Sequence, residues 1–129
     1  MQTEEPTTML SIMLKAKLHG PRVTGADLDY EGSLTIDQDL MDYVRILPYE
    51  KILVANLENG NRFETYAIAG KRGAGDICLN GATAHLGKPG DRITIFTFGL
   101  VPTEEAAQYR PRVLRIGPDN KPEGGLKPV

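Results

Sequence analysis

A small, mainly β barrel with short helices is the architecture this chain predicts, on three observations. It carries 14 glycines and 9 prolines in 129 residues. That is well above the ordinary combined share of about 12%, so turns are frequent and elements short. Several extended stretches are apolar on both sides, which suits strands closed around a core better than an open sheet with one wet face. An Asn59-Gly60 pair sits between two strand-like runs, the strongest short-range signal for a hairpin. One domain accounts for the length.

The elements follow in order. Residues 1–12, polar and acidic at the start, read as a flexible N-terminal leader. Leu14, Ala16 and Leu18 then alternate with Lys15, Lys17 and His19, the period of a half-buried strand. Pro21 interrupts it, residues 22–24 are extended again, and 26–30 form a short polar segment. Leu34-Thr35-Ile36 is a strand. Asp37 caps a helix that runs to Val44, with Leu40, Met41 and Val44 near one face. Residues 51–57 and 62–69 are partner strands on either side of the Asn-Gly turn. Glycine-rich 70–75 is a turn, 76–80 a short strand, and 81–86 one or two helical turns. After a turn at 87–90, residues 92–98 alternate as a strand. Thr103 caps a short helix with Glu104 and Glu105 at its positive end, Pro111 stops it, and 112–116 is the last strand. Residues 117–129 read as a flexible tail, which leaves 13–116 as a single barrel domain.

Composition excludes several functions. The net charge is −2 and the Lys and Arg residues are scattered, so no cationic face is offered to nucleic acid. No apolar run approaches the roughly 18–20 residues that span a bilayer, which argues against a membrane partner. Cys78 is the only cysteine. It can form neither an internal disulfide nor a cysteine-rich metal site, and its isolation fits a reducing, cytoplasmic setting. His19 and His85 have no neighbours at ligand spacing, so no metal is expected.

Candidate chemistry is sparse. The run Gly70-Lys71-Arg72-Gly73-Ala74-Gly75 lacks the Gly-Lys-Ser/Thr ending of a phosphate loop and reads as a turn. Asp27, Asp29 and Glu31 read as solvated loop carboxylates, and Cys78 as a buried, inert thiol. Glu31-Gly32-Ser33 is sharper. A serine hydroxyl can attack the carbonyl of the residue before it, turning an amide into an ester. Glycine at that place has no side chain to block attack and tolerates a strained backbone. Elimination from the ester leaves dehydroalanine, which hydrolyses to a pyruvoyl group. A Gly-Ser pair alone is a common turn, so its surroundings decide.

Those surroundings resemble the L-aspartate α-decarboxylase family, small pyruvoyl enzymes that make β-alanine. Four separated blocks carry the resemblance: residues 13–19 (MLKAKLH), 23–33 (VTGADLDYEGS), 59–66 (NGNRFETY) and 77–82 (ICLNGA). The resemblance implies a double-psi β-barrel, assembled as a homotetramer of cleaved protomers with four α and four β chains. It implies autocatalytic cleavage between Gly32 and Ser33, and conversion of Ser33 into a pyruvoyl group that forms a Schiff base with L-aspartate. No diffusible cofactor or metal would be needed. The product would be β-alanine with loss of CO2, feeding pantothenate and coenzyme A biosynthesis. Maturation is either spontaneous or assisted by a maturation factor; the sequence leaves both open.

The resemblance also implies site roles. Thr65 would aid self-processing with Gly32 and Ser33, and then contact substrate. Tyr66 would be the proton donor. Lys17 and Arg62 would engage substrate carboxylates, with Asn80, Gly81, Ala82 and Thr83 lining the substrate site. Each role is chemically reasonable. A carbonyl sink accepts the electrons released with CO2, a guanidinium fork suits a carboxylate, and a phenol can return a proton. Thr83 stands where the family often has alanine, adding a hydroxyl near the substrate. Period-two alternation places Arg62 and Tyr66 on one strand face and Thr65 on the other. All three can share a site only if a bulge, a strand end or a neighbouring subunit intervenes, and a site at a subunit boundary is the preferred expectation. The rival reading is a non-catalytic ligand-binding barrel that never cleaves.

Overall fold

The computed structural model describes residues 8–126. Eight strands and one helix follow in chain order: β1 (Leu10–Arg22), β2 (Gly25–Asp27), β3 (Leu34–Asp37), α1 (Gln38–Val44), β4 (Lys51–Asn56), β5 (Arg62–Gly70), β6 (Ile77–Asn80), β7 (Arg92–Pro102) and β8 (Arg112–Arg115). Three short 3-10 turns complete it, at Gly81–His85, Thr103–Glu105 and Pro118–Asn120. The strands make one sheet in the order β2-β6-β3-β5-β4-β7-β1-β8. The predicted class is therefore correct: mainly β, with short helices.

The hairpin at Asn59-Gly60 joins antiparallel β4 and β5, with Lys51 opposite Tyr66 and Ala55 opposite Arg62. Three other pairs, β1–β8, β2–β6 and β3–β5, are parallel. No hairpin can supply a parallel pair, so the chain must cross over between them, as the connections of a double-psi barrel do. Buried side chains from β1 and from every strand of β3–β8, with Leu40, Met41 and Val44 of α1, form one cluster. A sheet of eight strands can share one core only by curling around it.

β1 departs from the sequence reading. It is a single strand through Pro21, and its pairing with β7 slips between Leu14 and Ala16. Lys15 is the extra residue of a bulge, and a bulge reverses which face later residues occupy. Ala16 and Leu18 therefore enter the core. Ile12 and Leu14, of the same parity, lie opposite Leu100 and Phe98 on the outer face. The consequence is an exposed apolar row in which Ile12, Phe98 and Leu100 are all open to solvent.

Asp37 caps α1 as predicted, accepting from the Asp39 N–H at 2.9 Å. It also accepts from the N–H groups of Gly73 at 3.1 Å and Gly75 at 2.8 Å. Burial pushes this carboxyl up, but the Gly75, Asp39 and Gly73 N–H donors outweigh it and hold the group below the usual carboxylate range. The glycine-rich loop thus spends its donors on an internal carboxylate, which agrees with reading it as a turn.

Two terminal expectations change. β1 begins at Leu10, inside the predicted leader, and the Ser11 and Thr103 hydroxyls meet at 2.7 Å. Thr103 caps no helix; its turn has no side-chain cap. The predicted tail is anchored as far as residue 123. Buried Asn120 accepts from the Arg22 N–H and donates to the carbonyls of Arg22 and Gly75. The Glu123 N–H donates to Arg115. Turn-like composition does not distinguish a docked loop from a loose one. Residues 1–7 and 127–129, also assigned to leader and tail, lie outside the described residues.

Candidate active site

The turn entering β3 is wound tightly. Gly32 has φ of 109° and Ser33, with a side chain, has φ of 87°. A non-glycine residue in that region costs about 1–3 kcal/mol and persists only where its surroundings enforce it. Ser33 is 1% exposed. Its hydroxyl oxygen accepts from Asn80 Nδ2 at 3.0 Å, and its carbonyl accepts from the Asn80 N–H at 3.1 Å. The same Nδ2 donates to Thr35 Oγ1 at 2.9 Å. β3 and β6 are antiparallel neighbours, with Leu34 opposite Leu79, so Asn80 comes naturally to the mouth of β3 beside Ser33.

Gly81 closes the turn from below. Its φ is 64°, and a Cβ there would lie 2.6 Å from the Gly32 nitrogen and 2.7 Å from the Tyr30 carbonyl oxygen. Both atoms are backbone, so the turn itself would have to move. Gly81→Ala is expected to destabilise the fold by about 2 kcal/mol or more and to displace Gly32, measured as a lower unfolding midpoint and altered backbone resonances of residues 30–33. Unchanged values for both would remove this close approach. Thr83 turns its hydroxyl back onto the Asn80 carbonyl at 2.8 Å. The hydroxyl expected near the substrate is thus used to brace Asn80. Ala82 is exposed between the two.

A cleft of about 420 Å³ opens over Ser33, walled by Tyr30, Tyr49, Tyr66 and Ile68 and rimmed by Asp29 and Glu31. Two of the predicted residues, Ser33 and Tyr66, line it together. The parallel β3–β5 register pairs Leu34 with Ala67. The pairing starts there, because Gly32 and Ser33 at positive φ stand outside the strand. Thr65 is half-buried on the opposite face of β5 from Tyr66 and does not line the cleft.

Lys17 and Arg62 are elsewhere. Both lie over the Phe96 ring, at 5.5 and 5.8 Å from its centre, and neither lines the Ser33 cleft. They share the outer face of the sheet with His19, whose Nδ1 is 3.5 Å from the Thr94 hydroxyl. Burial first, then the charges of Lys17, Arg115 and Arg92, hold the His19 pKa below its ordinary value. The sequence assigns His19 no site role; the register places it one row from Lys17 and Phe96. The sequence reading also missed Thr35, Tyr30 and Tyr49. Thr35 carried a weak signal, as a polar residue between the core residues Leu34 and Ile36. The tyrosines carried none.

Among the described residues, no group of His, Cys, Asp and Glu could hold a metal ion, and no helix is long and apolar enough to cross a membrane. Fold and cleft define a class of protein: a small, mainly β chain in which a serine at positive φ and a tyrosine line one cleft. Residues 9–123 match the family model described as aspartate decarboxylase. Relatives named aspartate 1-decarboxylase include one from Syntrophobacter fumaroxidans, 52% identical over 120 residues, covering 92% of this chain and 97% of the relative. Another, from Desulfotalea psychrophila, is 53% identical over 112 residues, 87% of this chain and 94% of the relative. A third, from Thermoanaerobacter pseudethanolicus, is 49% identical over 114 residues, 88% and 97% respectively. The chain belongs to the aspartate decarboxylase family.

Proposed function

We propose that this chain is a carboxy-lyase converting L-aspartate to β-alanine and CO2 for pantothenate biosynthesis, using a pyruvoyl group made from Ser33 by cleavage of the Gly32-Ser33 bond. The observation that carries the reading is the Ser33 backbone, held at positive φ behind a glycine with its hydroxyl gripped by Asn80. These residues fit the group: the serine is strained, glycine precedes it, and only a glycine at 81 allows the turn to pack as closely as it does. Once formed, the group supplies a carbonyl able to take up the electron pair released with CO2.

The chain's own residues do the rest. Tyr66 holds a proton at its hydroxyl beside the α-carbon of the substrate. Thr65 donates a hydrogen bond to the oxygen that becomes negative when Ser33 attacks. Asn80 holds the Ser33 oxygen, Thr83 braces Asn80, and Gly81 packs against the Gly32 backbone, so this segment supports the reacting turn from behind the cleft. The cleft of one chain has Asp29 and Glu31 at its rim and no cation in its lining, which suits a substrate with two carboxylates poorly. Lys17 and Arg62 therefore act on the Ser33 cleft of a neighbouring copy in a homotetramer. The exposed row of Ile12, Phe98 and Leu100 supports such packing. The catalytic domain reaches beyond the expected 13–116, from β1 at Leu10 to the anchored residue 123, and a cytoplasmic setting belongs to the same reading.

The test is chemical. Purified protein is warmed, mixed with aspartate, reduced with borohydride and separated under denaturing conditions. The expected result is a fragment ending at Gly32 and a larger one, starting at position 33, that carries the adduct. A single intact chain without adduct would overturn the proposal in favour of a non-catalytic barrel.

A further inference from the structure

Thr35 lies outside every role assigned above, yet it shares a hydrogen-bond donor with Ser33. Asn80 Nδ2 donates to Ser33 Oγ at 3.0 Å and to Thr35 Oγ1 at 2.9 Å. The Asn80 backbone is fixed separately, by its N–H on the Ser33 carbonyl and by Thr83 on its own carbonyl. Thr35 is itself held in place. A Cβ built on Gly70 would lie 2.9 Å from the Thr35 methyl, so that methyl packs on bare glycine backbone while the hydroxyl reaches Asn80. With Thr35 as its second acceptor, the Asn80 amide cannot rotate away from Ser33 without losing a partner inside the protein, where an unmade hydrogen bond is costly.

The geometry points to Thr35 as a positioning residue for self-processing, holding the Asn80 N–H on the oxygen that leaves. This rests on the cleavage reading above and deepens it. In the first step Ser33 Oγ bonds to the Gly32 carbonyl carbon. The Gly32–Ser33 C–N bond breaks, and the hydroxyl proton passes to the Ser33 nitrogen, leaving an ester and a free amine. In the second step the Ser33 α-proton is removed and the Cβ–Oγ bond breaks. Its electron pair departs on Oγ, now part of the Gly32 carboxylate, and dehydroalanine remains. Water then enters and ammonia leaves, giving the pyruvoyl group with no oxidant or reductant. A donor aimed at Oγ gains most in the second step, because only there does that oxygen become an anion. Thr35 thus acts on departure more than on attack.

The test follows purified wild type, Thr35→Val, Thr35→Ala and Thr35→Ser from precursor to product. Samples are quenched with and without hydroxylamine and read by intact mass. Hydroxylamine cuts the ester and yields an unmodified Ser33 fragment, whereas the pyruvoyl fragment lacks the amine. Thr35→Val and Thr35→Ala are expected to form pyruvoyl about tenfold more slowly, the worth of one hydrogen bond to a developing charge. They should also accumulate hydroxylamine-sensitive ester, while Thr35→Ser restores both towards wild type. A merely structural role would slow maturation without raising the ester fraction. The inference is overturned if both hydroxyl-free variants mature at the wild-type rate, or slow without ester build-up. Wild type that never cuts removes the cleavage reading as well; wild type that cuts beside unaffected variants removes this inference alone.

Discussion

Ser33→Ala yields one uncut chain with no decarboxylation, however long it is warmed. The variant keeps the backbone but lacks the only atom able to attack the Gly32 carbonyl from within the turn. Asn80 loses one acceptor and retains Thr35, and position 33 stays buried in the same strained conformation. The fold is therefore expected to survive, with a stability change of about 1 kcal/mol for one exchanged hydrogen bond. Denaturing electrophoresis and an assay for CO2 release read the two outcomes separately. Cleavage in this variant would place the scissile bond elsewhere, and turnover without cleavage would end the case for a pyruvoyl group derived from Ser33.

Tyr66→Phe should mature normally and then fail at turnover. The ring stays in the cleft wall, and its side chain is 39% exposed, so stability should scarcely change. What disappears is the proton held over the reacting carbon. A positioned acid is worth about 10²–10⁴ in rate, and a loss of that size in kcat with little change in KM is expected. Because Tyr66 and Thr65 face opposite sides of β5, the two positions should separate cleanly. On the proposed function, Thr65→Ala should impair the cut, and Tyr66→Phe only the chemistry after it. Near-normal turnover in Tyr66→Phe would remove the phenol from the role of donor.

Much of the scaffold was legible because its signals are local. Asn59-Gly60 forms a hairpin since both residues tolerate the backbone a tight turn demands. Asp37 caps α1 since a short carboxylate can reach the N–H two residues on. Glu31-Gly32-Ser33 stood out because of the residues around it, since a Gly-Ser pair by itself is a common turn. The second partnerships of these residues were not legible. Asp37 also binds the 70–75 loop, and Asn120 closes on Arg22 and Gly75. Those contacts join residues 36 to 98 positions apart, and nothing in either local stretch announces the other.

The sequence alone determined the strand-rich class, the hairpin and the capped helix, and singled out Ser33 as the candidate centre. Tertiary structure decided which faces those strands show and which side chains meet. A bulge at Lys15 inverted the alternation of β1 and left Ile12 in solvent while Leu18 entered the core. Register between distant strands brought Asn80 to Ser33, set Tyr66 across from it, and carried Lys17 and Arg62 away to Phe96. The reason is physical. Side-chain alternation is a property of a few neighbouring residues, whereas bulges and register are settled by packing the whole sheet around one core, so only the folded chain contains them.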